Sequence, residues 1–337
     1  MIRQLICVSV CAILTFLTAV SAAELQQIWD YRLHQHRNPN VRFAMAVTSN
    51  HDVLTLVMTA DGKWRLTRLH GWLEANPIEQ TIVVRGLSDP KRGNWLAPWE
   101  ARLLVTSDGR YAVCAASGLK KGGVGSVQIV SIVDLSAFQV IQSETVSELP
   151  WFSGRSPLIQ FDRTGNLVLR ASDTGNRYDV RIGLYSMPPL NEIDRCQYTE
   201  QPIGADRVHS GEENCADLIA RSNGTAASLE EFLNSLRDSS EKRQRYKATW
   251  GYFTLYLSSD GRFGHEQTYT RSRGLWGVKI SDVAERIFST KSEQEIASVN
   301  LSAKHTFESR FATKNGRDYF IIVEDGWRFR VYEIPTR

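Results

Sequence analysis

Two short histidine-bearing segments invite a chemical reading. His34-Gln35-His36 sets two imidazoles two positions apart, which on a strand is the same face, as metal ligation requires. No third or fourth ligand stands nearby, so a solvated surface pair is the plainer reading. His265-Glu266 falls in an expected strand. A general acid there would need partners that the linear chain does not reveal. Gly122-Gly123-Val124-Gly125-Ser126 is glycine-rich, but its spacing is irregular. It also lacks the strand-turn-helix setting that lets glycines cradle a dinucleotide. The chain has no GxSxG, HExxH, P-loop or EF-hand motif, so no metal site and no cofactor are expected. Asn223-Gly224-Thr225 and Asn300-Leu301-Ser302 are glycosylation sequons, meaningful only in a eukaryotic secretory route.

The N-terminus reads as an address. Arg3, the apolar run Leu5–Val20 and the small residues Ser21-Ala22-Ala23 form a signal peptide over 1–23, cleaved before Glu24. A retained anchor is the alternative. The run is shorter than a spanning helix needs, and no later segment is long and apolar enough to cross a bilayer. Cleavage leaves three cysteines: Cys114, Cys196 and Cys215. In an oxidising compartment Cys196 and Cys215 could close a short loop. Cys114 lies in the apolar run Tyr111–Ala116 and reads as a buried thiol. With 40 Lys+Arg against 37 Asp+Glu, the chain is not a general polyanion binder, and a nucleic-acid partner is not expected.

These residues must be positioned by strands, because the chain repeats one turn. Thr106-Ser107-Asp108-Gly109-Arg110-Tyr111 recurs as Ser258-Ser259-Asp260-Gly261-Arg262-Phe263. Looser copies lie at Asp162–Leu167 and Thr313–Tyr319, and Asn50-His51-Asp52 takes the same place in the first unit. The turns fall near residues 52, 109, 165, 261 and 316, a spacing of about 56 residues with one step of about 96. Each turn joins strand-like runs of period two, so each unit is up to four short antiparallel strands. One such sheet cannot bury both of its faces, and stacked copies can. Within the long step, the capping box Ser228–Glu231 and the spacing of Leu229, Phe232, Leu233 and Leu236 predict helix. A helical insertion over about 201–246 is expected, with a divergent blade as the alternative.

The unit Asp108-Gly109-Arg110-Tyr111-Ala112-Val113 followed by Val127–Leu135 resembles a blade of the YVTN/WD40-like β-propeller superfamily, as does Ser259–Arg262 followed by Val278–Asp282. The resemblance covers most of the chain after residue 23. It implies an all-β propeller over 24–337 with five recognisable blades, six or seven remaining open. The last unit lacks a fourth strand after Ile334, and Leu25–Leu33 could supply it, closing the ring within one blade.

In such blades the Asp-Gly turn joins the first two strands and marks one rim. Ligands of the families resembled usually bind at the other rim or the channel mouth. That assignment sends Lys91, Arg92, Trp95, Trp99, Lys120, Lys121, Trp151, Phe152, Arg155, Arg177, Arg271 and Arg273 to the second rim. Guanidinium and ammonium groups would supply charge-assisted hydrogen bonds, and tryptophans flat apolar faces. The expectation is a secreted or periplasmic binding module for a protein, glycan or small anionic ligand. The plainer reading keeps these as solvated loop residues, with the tryptophans packed between blades. The alternative function is a lactonase-like or glycan-acting hydrolase, with the insertion as a lid.

Overall fold

The repeated turn is a closed hydrogen-bonding unit. Thr106 N–H donates to the Tyr111 carbonyl at 3.0 Å and Gly109 N–H to the Thr106 carbonyl at 2.8 Å. The Asp108 carboxylate accepts from Thr106 Oγ1 and from Arg110 N–H. Gly109 sits at φ 70°, where a side chain is strained and glycine is not. The turn therefore reverses the chain without help from elsewhere, and strands follow on both sides.

The computed structural model of the protein describes residues 23–33, 43–88, 95–120, 126–149, 158–162, 164–172, 178–203, 206–210, 215–218, 256–258, 262–274, 277–292, 294–302 and 305–335. They form five sheets, and the chain is an all-β propeller. Blade 1 is β3 (Ala44–Val47), β4 (Val53–Met58), β5 (Trp64–His70) and β6 (Ile78–Val83). A single turn of helix, α1 (Arg85–Ser88), leads on to blade 2: β7 (Trp95–Val105), β8 (Tyr111–Lys120), β9 (Ser126–Asp134) and β10 (Gln139–Leu149). Blade 3 is β11 (Leu158–Phe161), β12 (Leu167–Ser172), β13 (Tyr178–Ser186), β14 (Asn191–Ile203) and β15 (Asp206–Ser210). Blade 4 is β16 (Tyr256–Leu257), β17 (Phe263–Gly274), β18 (Gly277–Ser289) and β19 (Glu295–Leu301), with β1 (Ala23–Glu24) parallel on its outer edge. Blade 5 is β20 (Phe307–Lys314), β21 (Arg317–Glu324) and β22 (Arg328–Glu333), and β2 (Gln27–Arg32) pairs antiparallel with β22 as its outer strand. The two chain ends thus share one blade.

β3 lies against β20 on one side and β7 on the other, so first strands face the centre. The Asp-Gly turns between first and second strands define the turn rim. Connections between second and third strands, and between blades, define the loop rim. The same turn chemistry also serves the loop rim. Thr59–Lys63 in blade 1 repeats the bonds of Thr106–Tyr111, and Asp325-Gly326, both at positive φ, closes the β21–β22 hairpin.

Apolar clusters fill the seams. Leu54, Leu56, Trp64 and Leu66 pack against Leu103, Ala112, Cys114 and Ile129 between blades 1 and 2. Tyr111, Val113, Val130 and Ile132 meet Ile159, Leu167, Leu169 and Tyr185 between blades 2 and 3. Cys114 is a free thiol with no exposure, and burial pushes its pKa far up.

The fourth strands of four blades carry one recurring irregularity. Register slips leave Ile28, Ile141, Ile193 and Ile296 as the extra residue of a β-bulge. Bulges blunt the free edges of sheets. Ile28, Ile141 and Ile193 are 40%, 45% and 53% exposed. Ile296 is 7% exposed, in a cluster that includes Leu25 from the segment after β1.

The region expected to be a helical insertion begins otherwise. Residues 201–203 extend β14, and β15 pairs back on it from Ile203↔Asp206 to Thr199↔Ser210. The helical spacing further along the sequence hid this pairing. Residues 215–218 make a single helical turn. Cys215 is disulfide-bonded to Cys196 of β14, with Cα atoms 5.6 Å apart. Cys215 and Leu218 pack on Val168, Ile182, Leu184 and Tyr198. The capping box at Ser228–Glu231 lies outside the described residues.

Candidate functional site

The strands carry part of the expected basic and aromatic set to the loop rim. Trp95 is the register partner of Lys120, so the start of β7 and the end of β8 meet there. Trp99 is the bulged residue between the pairs Pro98↔Gly118 and Glu100↔Ser117. Arg271 and Arg273 occupy the last turns of the ladder in β17, opposite Ile280 and Val278, again at the loop-rim end. Lys91, Arg92, Lys121, Trp151, Phe152, Arg155 and Arg177 lie outside the described residues.

A second group on the same rim was not signalled by the sequence. His305 precedes β20, Glu324 ends β21, and Asp325 opens the tight turn into β22. Ligand atoms of these three lie within 4.8 Å of one another. His305 Nδ1 is 2.6 Å from Asp325 Oδ2, and Nε2 is 3.4 Å from Glu324 Oε1. Asp325 Oδ1 accepts from the Thr306 amide and hydroxyl at 3.0 and 3.1 Å. Glu324 Oε2 is taken by the guanidinium groups of Arg330 and Arg328. Arg328 also forks onto Asp30 of β2, at 2.5 Å from Nη2 and 3.1 Å from Nε. That contact holds the Asp30 carboxyl below the usual carboxylate range, the hydrogen bond outweighing the opposing burial. Arg32 lies over the Trp327 ring at 5.6 Å.

Chemically this is a lattice of ion pairs. Both ring nitrogens of His305 face carboxylates, and both arginines crowd the one glutamate that a cation would need. The arrangement ties the link into β20, the β21–β22 turn and the outer strand β2 together. The readable signal was Asp325-Gly326, which marks a turn but not the histidine 20 residues away.

His265, read from sequence as an isolated strand residue, has distant partners. It is 2% exposed, and Nδ1 is 3.1 Å from Oε2 of Glu285, itself 1% exposed. Oε1 of Glu285 accepts from Gln267 Nε2 at 3.0 Å and from Ser309 Oγ at 3.1 Å. Ser309 belongs to blade 5 and the others to blade 4, so the network bridges the seam. Serine and histidine both bond the carboxyl group, and the imidazole does not stand between them. The order needed to activate a serine nucleophile is therefore missing. Phe311 and Phe320 close over the imidazole at 5.4 and 5.0 Å between centroids.

On the loop rim of blade 1, Asp61 is held down to about 2, first by the Thr59 hydroxyl and then by the Lys63 amide and the Arg65 guanidinium. No helix among the described residues is long and apolar enough to cross a membrane.

No protein-family model matches the chain, and no curated protein matches it in sequence. Among solved structures, an arabinanase of Bacillus subtilis is similar at 10% identity and a TM-score of 0.39, covering 89% of this chain and 95% of its own. An endo-arabinase of Bacteroides thetaiotaomicron is similar at 8% identity and a TM-score of 0.43, covering 93% and 98%. The periplasmic gluconolactonase of Pseudomonas aeruginosa is similar at 12% identity and a TM-score of 0.30, covering 87% and 73%.

Proposed function

We propose that the protein is a secreted or periplasmic β-propeller that works as a binding module, presenting its loop rim to an anionic glycan, protein or small ligand. The observation that carries this reading is the pairing of Trp95 with Lys120 on the rim where Arg271 and Arg273 also end their strand. Tryptophan and cationic residue types gathered at one rim suit a ligand with apolar ring faces and carboxylate or sulfate substituents. The test is calorimetric titration with polygalacturonate, an acidic polysaccharide, at low and physiological salt. The triple variant Lys120→Glu/Arg271→Glu/Arg273→Glu should weaken binding by at least about tenfold, since each lost charge-assisted bond is worth about 1.5–3 kcal/mol. Lys291→Glu, on the turn rim, should leave it unchanged. Equal loss in both variants, or no binding by the wild type, would remove the reading.

The hydrolase alternative draws on His305, Glu324 and Asp325, which stand on the same rim. Turnover of chromogenic glycosides or of a lactone, lost in His305→Ala, would favour it over a pure binding role.

A further inference from the structure

The turn rim of blade 1 holds a histidine of a third kind. His70, the last residue of β5, sets Nδ1 2.6 Å from Asp52 Oδ1. Its side chain is 59% exposed, whereas that of Asp52 is 11% exposed. A largely sheltered carboxylate thus fixes one ring nitrogen, and the ring's geometry directs Nε2 away from it. His265 is buried and His305 meets carboxylates at both nitrogens. His70 alone, of these three, pairs one nitrogen with a carboxylate and keeps an exposed ring. That is the arrangement of metal-ligating histidines, whose second nitrogen is bonded to a carboxylate that sets the tautomer and raises the basicity of the ligand.

Residue 51 adds an independent observation. Blades 2, 3 and 5 place glycine at the left-handed position of the corresponding turn: Gly109, Gly165 and Gly316, at φ 70°, 83° and 72°. Blade 1 places His51 there, at φ 64°. A side chain in this region costs about 1–2 kcal/mol. The hydrogen bonds of the turn use only the backbone of His51. Its amide donates to the Thr48 carbonyl, and its own carbonyl accepts from the Trp72 indole. Nothing in the turn requires an imidazole. Leu73, three residues after His70, is also at positive φ, 78°. Two of the five non-glycine residues in this region, among those described, therefore flank one histidine–carboxylate pair. Strain of this kind persists where the surroundings impose it and clusters at functional sites. The His51 side chain is exposed and leaves the chain directly before Asp52. The Glu74 carboxylate packs over Gly71, next in the chain to His70.

We propose that this rim binds a divalent transition-metal ion of borderline character: zinc, nickel or copper(II). His70 Nε2 is the first ligand and Asp52 the group that orients it. The exposed His51 ring is the second ligand, swinging in when the ion arrives, and Glu74 offers an oxygen donor. Imidazole nitrogens select these ions over calcium and magnesium, which prefer sets of oxygens.

The test is titration of the mature, tag-free, chelator-treated protein with zinc chloride, followed by calorimetry. Saturable binding of one ion per chain is expected, abolished in His70→Ala and weakened about 10–100-fold in Asp52→Asn. His51→Gly separates a site from a structural role. It should weaken zinc binding while leaving the thermal midpoint unchanged or raised, because glycine suits the backbone there. His34→Ala/His36→Ala should bind zinc as the wild type does. The proposal is overturned if the wild type takes up no zinc, or if uptake survives His70→Ala. Loss of uptake in His34→Ala/His36→Ala overturns it too, as does a His51→Gly protein that is destabilised yet binds normally.

Discussion

Blade 5 is bounded by two different seams. Toward blade 1, Phe43, Met45, Val57, Leu69 and Trp72 interlock with Tyr319, Ile321, Val323 and Phe329. Gly326 sits so close to Val57 and Phe43 that a Cβ would meet them at 2.9 and 3.2 Å. Toward blade 4 an apolar cluster of Ile287, Ala297, Phe320 and Ile322 surrounds the polar group of His265, Glu285, Gln267 and Ser309. The first seam is held chiefly by area and fit, which are nondirectional, supplemented by bonds to backbone carbonyls from Lys314 Nζ to Trp72 at 3.1 Å and from Trp29 Nε1 to Glu74 at 3.3 Å. The second adds bonds with fixed partners, whose loss strands buried polar atoms. Blade 5 also receives β2 from the other end of the chain, so its orientation decides whether the ring closes. A directional seam on one side and a space-filling seam on the other divide that work: one sets register, the other supplies packing.

The largest effect should come from the directional seam. Glu285→Ala removes the acceptor shared by three donors, and breaking a buried pair costs about 3–5 kcal/mol. Urea denaturation should show this as a large fall in midpoint. A loss below about 1 kcal/mol would mean the network is incidental and the two seams do not differ. Leu69→Ala, at a residue with no exposure, should cost about 2–5 kcal/mol through lost contacts and a cavity. The contrast is sharper in conservative swaps. Met45→Leu in the apolar seam should cost less than about 1.5 kcal/mol. Glu285→Gln should cost more, despite its matching shape, because one arm of an amide donates where both carboxyl oxygens now accept.

A smaller link crosses the directional seam at the turn rim. Arg262, from the repeated turn of blade 4, forks onto Asp318 of blade 5 at 2.8 and 3.0 Å, and Thr313 Oγ1 donates to the same carboxylate at 2.8 Å. The Arg262 side chain is 54% exposed, so the pair is worth no more than about 1 kcal/mol. A double-mutant cycle of Arg262→Ala and Asp318→Asn measures it. Coupling near zero would leave blade-to-blade specificity to the buried network alone.

The repeat was legible because its turn is local chemistry: threonine or serine, aspartate and glycine satisfy one another within six residues. The blades followed from it. The polar seam was not legible. Glu285 stands opposite Gln267 only through the β17–β18 register, and Ser309 arrives from another blade, so Glu266, the neighbour in sequence, was a false lead. The His305 group failed for the same reason, as its carboxylates lie 19 and 20 residues on, across a hairpin. The start of the expected insertion was misread because helical spacing after Ser228 was extended back over a segment that pairs as a strand.

The outer edge of blade 5 carries the smallest predicted effect. Asp30 of β2 is held to Arg328 of β22, with side chains 30% and 26% exposed. The carboxyl is depressed below its ordinary 3.8, so the unfolded chain binds the proton more readily than the folded one. The stability from this pair is therefore fully present above pH 3.8 and is lost as the pH falls through the lower folded value. Arg328 stays charged throughout, so only the carboxylate titrates. With both groups partly in water, the loss should be no more than about 1 kcal/mol and local to the closing strand. Amide exchange protection of Trp29, Tyr31 and Leu33, whose N–H groups face β22, should fall on acidification in this range, while that of Ile321 and Val323 in the neighbouring strand of the core holds. Asp30→Asn should show the lower protection already at neutral pH and little further change. If β2 and β21 instead lose protection together, closure is not a separable event, and the edge of blade 5 opens only when its buried seams do.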